Sequence, residues 1–181
     1  IKYNLTVNQL IKKIHSLEKK FGPHHSVSLT GGEPLLYRSY LIKLLPLIKR
    51  DFKIYLETNG ILFKPLKELI DFFDFVSMDI NLPSPTGEND FFKDHLKFLK
   101  TANKKKTFVK VVITKNTRTS DFKEGVKIVK KIDKNIPFII QPVSGKEKVS
   151  LKKLFALESI ATTYLSDVRV IPQVHKILRI R

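Results

Sequence analysis

Apolar positions recur along this chain in two alternating periods, and the alternation lays out its elements. Val7, Leu10, Ile11, Ile14, Leu17 and Phe21 share one face of a helix that Thr6 and Gln9 open as a capping box and Gly22-Pro23 closes. Val27 to Thr30 then reads as a short buried strand. A second helix is expected from Pro34 towards Arg50, with Leu41, Leu44, Leu45 and Ile48 turned inward and Pro46 placed to kink it. Lys53 to Glu57 forms the next strand, closed by Thr58-Asn59-Gly60.

The pattern repeats. Leu66, Leu69 and Ile70 mark a short helix, Phe75 to Asp79 a strand, and Phe91, Phe92, Leu96 and Leu99 another helix. The β-branched run Phe108 to Ile113 is a strand, followed by a helix carrying Phe122, Val126, Val129 and Ile132. Phe138 to Gln141 is the next strand. Ser150 caps a helix with Leu151, Leu154, Phe155 and Leu157 inside, and Val168 to Ile171 is the last strand. Strand and helix alternate about every thirty residues, and the strands are mostly continuous apolar runs, which argues for a parallel sheet covered by helices. Spacing alone does not separate a barrel from an open doubly wound sheet.

Where each apolar strand runs out stands a polar or glycine-bearing cluster: Thr30-Gly31-Gly32-Glu33, Glu57-Thr58-Asn59-Gly60, Ser77-Met78-Asp79, Thr114 and Gln141. Ligands of parallel α/β folds bind at the carboxyl ends of strands, so these clusters should converge on one rim. The paired glycines let a ligand meet bare backbone, Pro34 suits a first helical position, and Glu33 beside it can accept from an ammonium group. The plainer alternatives are a tight turn with a surface glutamate, an Asp79 that caps its own loop, and a Gln141-Pro142 that only ends a strand. Lys110 either points inward to an anion or snorkels on the outer side. His24-His25 precede a strand and belong to the opposite rim, where surface histidines are expected rather than metal ligands.

With 181 residues, 42% of them apolar, the chain suits one domain spanning 1–181. No window has the apolar length of a membrane span, so a cytoplasmic protein is expected. Lysine and arginine outnumber acids 34 to 17, a net charge of +17, but the lysines are spread over nearly every helix. The densest run, Lys104-Lys105-Lys106, falls in a predicted turn without interleaved aromatics. A solvated basic exterior is therefore the better reading than a nucleic-acid face. Cysteine is absent, which removes disulfides, thiolate metal sites and a cysteine nucleophile. The chain opens on Ile1 and its one methionine is Met78, so a segment upstream is expected to have been removed.

With these residues assembled, the chain resembles the radical S-adenosylmethionine (SAM) enzymes and, among them, the 7-carboxy-7-deazaguanine synthases of queuosine biosynthesis. The likeness runs through Leu29 to Leu36, Glu57 to Gly60, Val76 to Ser84, Lys110 to Ile113, Ile140 to Val143 and the tail Gln173-Val174-His175-Lys176-Ile177-Leu178. It implies a partial (β/α) barrel of mostly parallel strands whose first strand is missing. It also implies a lyase-type conversion of 6-carboxytetrahydropterin to 7-carboxy-7-deazaguanine with loss of ammonia. In such enzymes a 4Fe-4S cluster donates an electron to SAM, a 5′-deoxyadenosyl radical abstracts a substrate hydrogen, and magnesium assists.

Carried over by position, Gly31, Gly32 and Glu33 would hold the methionine end of the cofactor. Ser77, Met78 and Asp79, with Gln141, Pro142, Val143 and Ser144, would line its ribose and adenine. Glu57, Thr58 and Asn59 would sit beside the cofactor, and Thr30 and Arg181 would face the pterin-like substrate. The departures are as informative. The three cluster cysteines and the magnesium-contacting threonine of the family have no counterpart here, Asn81 replaces a usual lysine, and Arg179 stands where glycine is common. The chain alone is therefore expected to be inactive and to bind cofactor weakly, with an exposed sheet edge that favours homodimers. Two alternatives remain open: a cluster-free relative that binds a nucleoside or pterin without catalysis, and an RNA-associated basic module.

Overall fold

The computed structural model describes residues 5–87 and 89–173. Its strands are β1 (Val27–Leu29), β2 (Ile54–Thr58), β3 (Phe75–Asp79), β4 (Lys106–Ile113), β5 (Phe138–Pro142) and β6 (Val168–Val170). All pair in parallel, and their order across the sheet is their order along the chain, without closure. A doubly wound sheet reverses its order at a switch point, and this one never does. Right-handed crossovers then carry every connection to the same face. The result is an open section of a (β/α) barrel, which resolves the choice that spacing alone left open.

The two faces of the sheet differ accordingly. Leu56, Val76, Met78, Val109, Val111, Phe138 and Ile140 are fully buried under the helices. The register places the intervening residues in rows on the other, concave face: Ser28, Tyr55, Phe75 and Lys106; then Glu57, Ser77 and Phe108; then Asp79, Lys110, Ile139 and Arg169. Apart from the buried Ser77 these are partly covered or exposed, and the rings of Tyr55, Phe75 and Phe108 pack together at the amino-terminal end of that face.

The helices are α1 (Val7–Phe21), α2 (Arg38–Ile48), α3 (Phe63–Leu69), α4 (Pro83–Thr86), α5 (Phe92–Ala102), α6 (Thr119–Ile132) and α7 (Leu151–Thr162). The Thr6–Gln9 capping box is formed as expected. Several inward positions expected from periodicity lie elsewhere. Leu17 and Phe21 of α1 are 45% and 62% exposed, because this helix packs only against the sheet margin and α2. In α7, Leu151 and Phe155 are outside while Leu154, Leu157 and Ala161 are buried. Apolar residues fall on more than one side of that helix, so its period does not choose between the Leu151–Phe155 and Leu154–Leu157–Ala161 faces. The segment Pro34–Tyr37 is a 3₁₀ turn before α2 rather than its first turn, and Pro46 is accommodated inside α2. The carbonyl it deprives of a donor belongs to Ile42, on the solvent side. Lys106 begins β4 instead of ending a turn.

α5 buries His95 with Phe98, Leu99 and Ala102 in place of Phe92 and Leu96, which are half-covered. The His95 ring is inaccessible to solvent, its Nε2 lies 3.2 Å from the Asn59 carbonyl oxygen, and its Nδ1 meets no polar partner. It is therefore a neutral imidazole donating through Nε2. Burial lowers its pKa from 6.5 to about 4, against the smaller opposing influence of the Asn59 carbonyl and Asp94. A lowered folded-state value means that the unfolded chain takes up this proton first as pH falls. Stability should thus be undiminished by this group above pH 6.5 and should fall by about 3 kcal/mol between pH 6.5 and 4. Urea unfolding across that range checks this, with His95→Gln flattening the dependence.

Candidate functional site

Parallel pairing brings the carboxyl ends of all six strands to one rim, and the loop after β1 is its most constrained part. Gly31 and Gly32 have φ of +87° and +55°, values that suit glycine, and a Cβ built on either would meet nothing within 4 Å. The loop thus offers bare, unobstructed backbone. Glu33, by contrast, turns inward. Its Oε1 accepts from Leu35 N at 3.1 Å, its Oε2 accepts from Asn59 N at 2.8 Å, and the Thr58 hydroxyl lies 2.9 Å from both oxygens. Glu33 is 6% exposed, so this carboxylate acts as a brace that ties the glycine loop to the end of β2.

The β2 end is fastened in turn. Gly60 N donates to Thr58 Oγ1, Ile61 N donates to Asn59 Oδ1, and His95 holds the Asn59 carbonyl. Gly60 has φ of +70°, and an added Cβ would come within 2.7 Å of the Met78 side chain. Gly60→Ala is expected to cost about 2 to 3 kcal/mol, combining left-handed strain with overpacking. Thermal unfolding checks it, and a loss under 1 kcal/mol would contradict the close approach.

On the concave side of the rim, Thr30 Oγ1 donates to Glu57 Oε2 at 3.0 Å. The Tyr55 phenol is pushed up by burial, with Glu57 and Asp79 adding to the shift and the neighbouring Ser77 opposing it. Lys110 faces inward: its Nζ stands 3.2 Å from Asp79 Oδ1. Burial raises the Asp79 pKa and Lys110 opposes the rise, while Glu57 and Glu33 add to it. Asp79 thus senses two carboxylates and one ammonium.

The residues singled out in the sequence divide by face. Thr30, Glu57, Ser77, Asp79 and Gln141 share the concave face at the rim, beside Gly31 and Gly32. Thr58 and Met78 point to the helix side, so any contact they make with a ligand on the concave face is through backbone. Asn59 spends its side-chain oxygen on its own turn. Pro142 ends β5 and Val143 and Ser144 follow it, with Val143 N donating to Ile113 O. Arg181 lies outside the described residues, as do Val174 to Leu178 of the tail and Arg179. His24 and His25 sit at the other rim, His24 against Glu18 and His25 against the Phe75 ring. Tyr55 and His95 were missed by sequence reading. Tyr55 stands two residues before Glu57 in a polar-apolar alternation that marks the concave face, whereas nothing in the sequence marks His95.

Beside β1, the edge strand among the described residues, a cavity of about 570 Å³ opens between Leu10, Ser28, Thr30, Gly31, Tyr40 and Leu44. Among the described residues no three His, Asp or Glu side chains gather to hold a metal, and no helix is long and apolar enough to cross a membrane.

Comparison with known proteins places this geometry in context. The Radical SAM superfamily model matches residues 1–140. A 7-carboxy-7-deazaguanine synthase of Geobacter sulfurreducens is 38% identical over 160 residues, 87% of this chain and 64% of the relative's length. One from Methanocaldococcus jannaschii is 33% identical over 179 residues, 91% of this chain and 72% of that protein. Among solved structures, archaeal TYW1 is similar in fold, with a TM-score of 0.57 at 20% identity over 89% of this chain and 60% of that one. The chain therefore spans roughly two thirds of the length of such relatives, 64% and 72% for these two synthases.

Proposed function

Since the chain belongs to the Radical SAM superfamily and, within it, to the 7-carboxy-7-deazaguanine synthase family, we propose that its concave rim holds SAM. We further propose that the whole enzyme converts 6-carboxytetrahydropterin to 7-carboxy-7-deazaguanine as a carbon-nitrogen lyase. The observation that carries the reading is the open Gly31-Gly32 backbone, a cradle that any Cβ would begin to fill, set beside the carboxylates of Glu57 and Asp79. In a chain of net charge +17 this spot is locally acidic, which suits a ligand bearing a sulfonium and an ammonium group. Bound there and given an electron from a cluster outside these residues, SAM would supply hydrogen-abstraction chemistry. The protein's own part is to orient the two ligands and to exclude water.

The residues present fit the two cofactors unequally. Gly31 and Gly32 offer backbone to the amino-acid end, Ser77 and Asp79 offer acceptors to ribose hydroxyls, and Gln141 to Ser144 border the adenine. Thr30, already held by Glu57, faces the substrate, with Arg181 assigned to the same pocket. A 4Fe-4S cluster does not fit these 181 residues, which contain no cysteine. Its thiolates must come from outside them, and the groove beside β1, next to Gly31, is the place for an extended segment that carries them. Magnesium belongs to the same outside segment.

Joined to a segment bearing Cys-x-x-x-Cys-x-x-Cys and reconstituted with iron and sulfide under anaerobic conditions, the protein should cleave SAM and consume 6-carboxytetrahydropterin. No cleavage under those conditions would reject the assignment. Cleavage without pterin consumption would reject the substrate alone.

A further inference from the structure

We propose that Lys110 is a positioning residue: from β4 it holds the Asp79 carboxylate ionised and turned across the concave face, so that Asp79 presents a charged acceptor to the vicinal hydroxyls of a ribose. The inference rests on the cradle reading above and deepens it by naming what selects the nucleoside.

The argument begins with the cost of the arrangement. A lysine on the inward face of a central strand loses much of its hydration, and here its side chain retains 21% exposure. Register fixes its neighbour, because Asp79 and Lys110 are direct partners across the β3–β4 pair, and Ile80 N donates to Lys110 O just beyond. Asp79 Oδ1 is shielded from solvent and meets only the Lys110 ammonium, at 3.2 Å and in poor hydrogen-bonding geometry. Oδ1 is thus steered by charge rather than saturated by donors, and with it held against Lys110 the other oxygen, Oδ2, on a side chain that keeps 32% exposure, is the one presented to a hydroxyl.

The surroundings make Lys110 necessary for that. Glu57 and Tyr55 on β2 and Glu33 in the glycine loop all disfavour a charged Asp79 or are disfavoured by it. From β5 the register partner of Lys110 on this face is the apolar Ile139, with the neutral Gln141 two residues on, facing Val112, and Arg169 on β6 is paired with Asp167. Among the described residues Lys110 is therefore the cation set against these groups. Without it, burial and the neighbouring carboxylates would keep Asp79 protonated nearer neutral pH, and a protonated acid is a poorer acceptor for a diol.

The test uses the chain itself. Asp79 is followed by carboxyl carbon NMR titration, and adenosine and 2′,3′-dideoxyadenosine are compared as probes by ligand-observed NMR at millimolar concentration. The wild-type chain should prefer adenosine by about tenfold. In Lys110→Met the Asp79 midpoint should rise. The preference should be lost below that raised midpoint and return above it, while Lys110→Arg should keep both the midpoint and the preference. Asp79→Asn should abolish the preference at every pH, with no further effect from Lys110→Met. An unmoved Asp79 midpoint in Lys110→Met, or a preference that survives in it below the new midpoint, would overturn the proposal. If the wild-type chain binds adenosine and its dideoxy analogue equally, the role of Asp79 falls while the cradle stands. If it binds neither, the cradle itself is refuted and the proposal with it.

Discussion

Replacing Glu33 with alanine should lower the unfolding free energy by about 3 kcal/mol or more and release the glycine loop from the end of β2. The substitution strands Leu35 N, Asn59 N and the Thr58 hydroxyl, all of which donate to this carboxylate in a site that is almost closed to water. Hydrogen bonds to a charged acceptor contribute more than neutral ones, and unsatisfied buried donors carry their full desolvation cost. Glu33→Gln keeps the shape but turns an amide NH₂ towards one of the two backbone donors, so about half the loss is expected. Urea unfolding with an unchanged slope measures both effects. A loss below 1 kcal/mol in Glu33→Ala would show that the loop holds its place without the brace.

The second large effect is on ligand binding rather than stability. Gly32→Val should cost only about 1 to 2 kcal/mol of stability, from placing a β-branched residue at φ +55° with free space around it. In the cluster-loaded enzyme it should weaken SAM binding by about a hundredfold or more, because the isopropyl group occupies the space that the ligand needs. Gly87 supplies the control: its φ is +72°, its surroundings are equally open, and it lies at the end of α4. Gly87→Val should show a similar stability loss and unchanged affinity. Equal affinity losses in the two variants would mean that backbone strain, and not cradle occupancy, explains the effect.

Much of the architecture could be read directly, because the physics that makes it is local. Capping at Thr6, the stop at Gly22-Pro23 and the apolar runs at residues 54–58, 75–79 and 108–113 each announce an element without help from the rest of the chain. The clusters at the strand ends shared one rim because all the strands are parallel. What could not be read depends on long-range placement. Which face of α7 is inside follows from what packs against it, and a helix with apolar residues on more than one side does not announce it. That Thr58 and Met78 turn to the helices while Glu57, Ser77 and Asp79 turn away follows from the pleat once one face of the sheet is known to be bare. The alternation of Ile54-Tyr55-Leu56-Glu57-Thr58 carried that signal, masked by reading the strands as buried on both sides. The inward course of Glu33 was illegible for a different reason: its donors come from a loop some twenty-five residues further on.

The account rests on one rim of an open barrel acting as a nucleoside cradle, and amide chemical-shift mapping with millimolar SAM tests it most directly. Shifts confined to Thr30, Gly31, Gly32, Ser77, Asp79 and Gln141 are predicted, with none at His24 or His25. Shifts scattered over both rims, or gathered at the histidine rim, would contradict it.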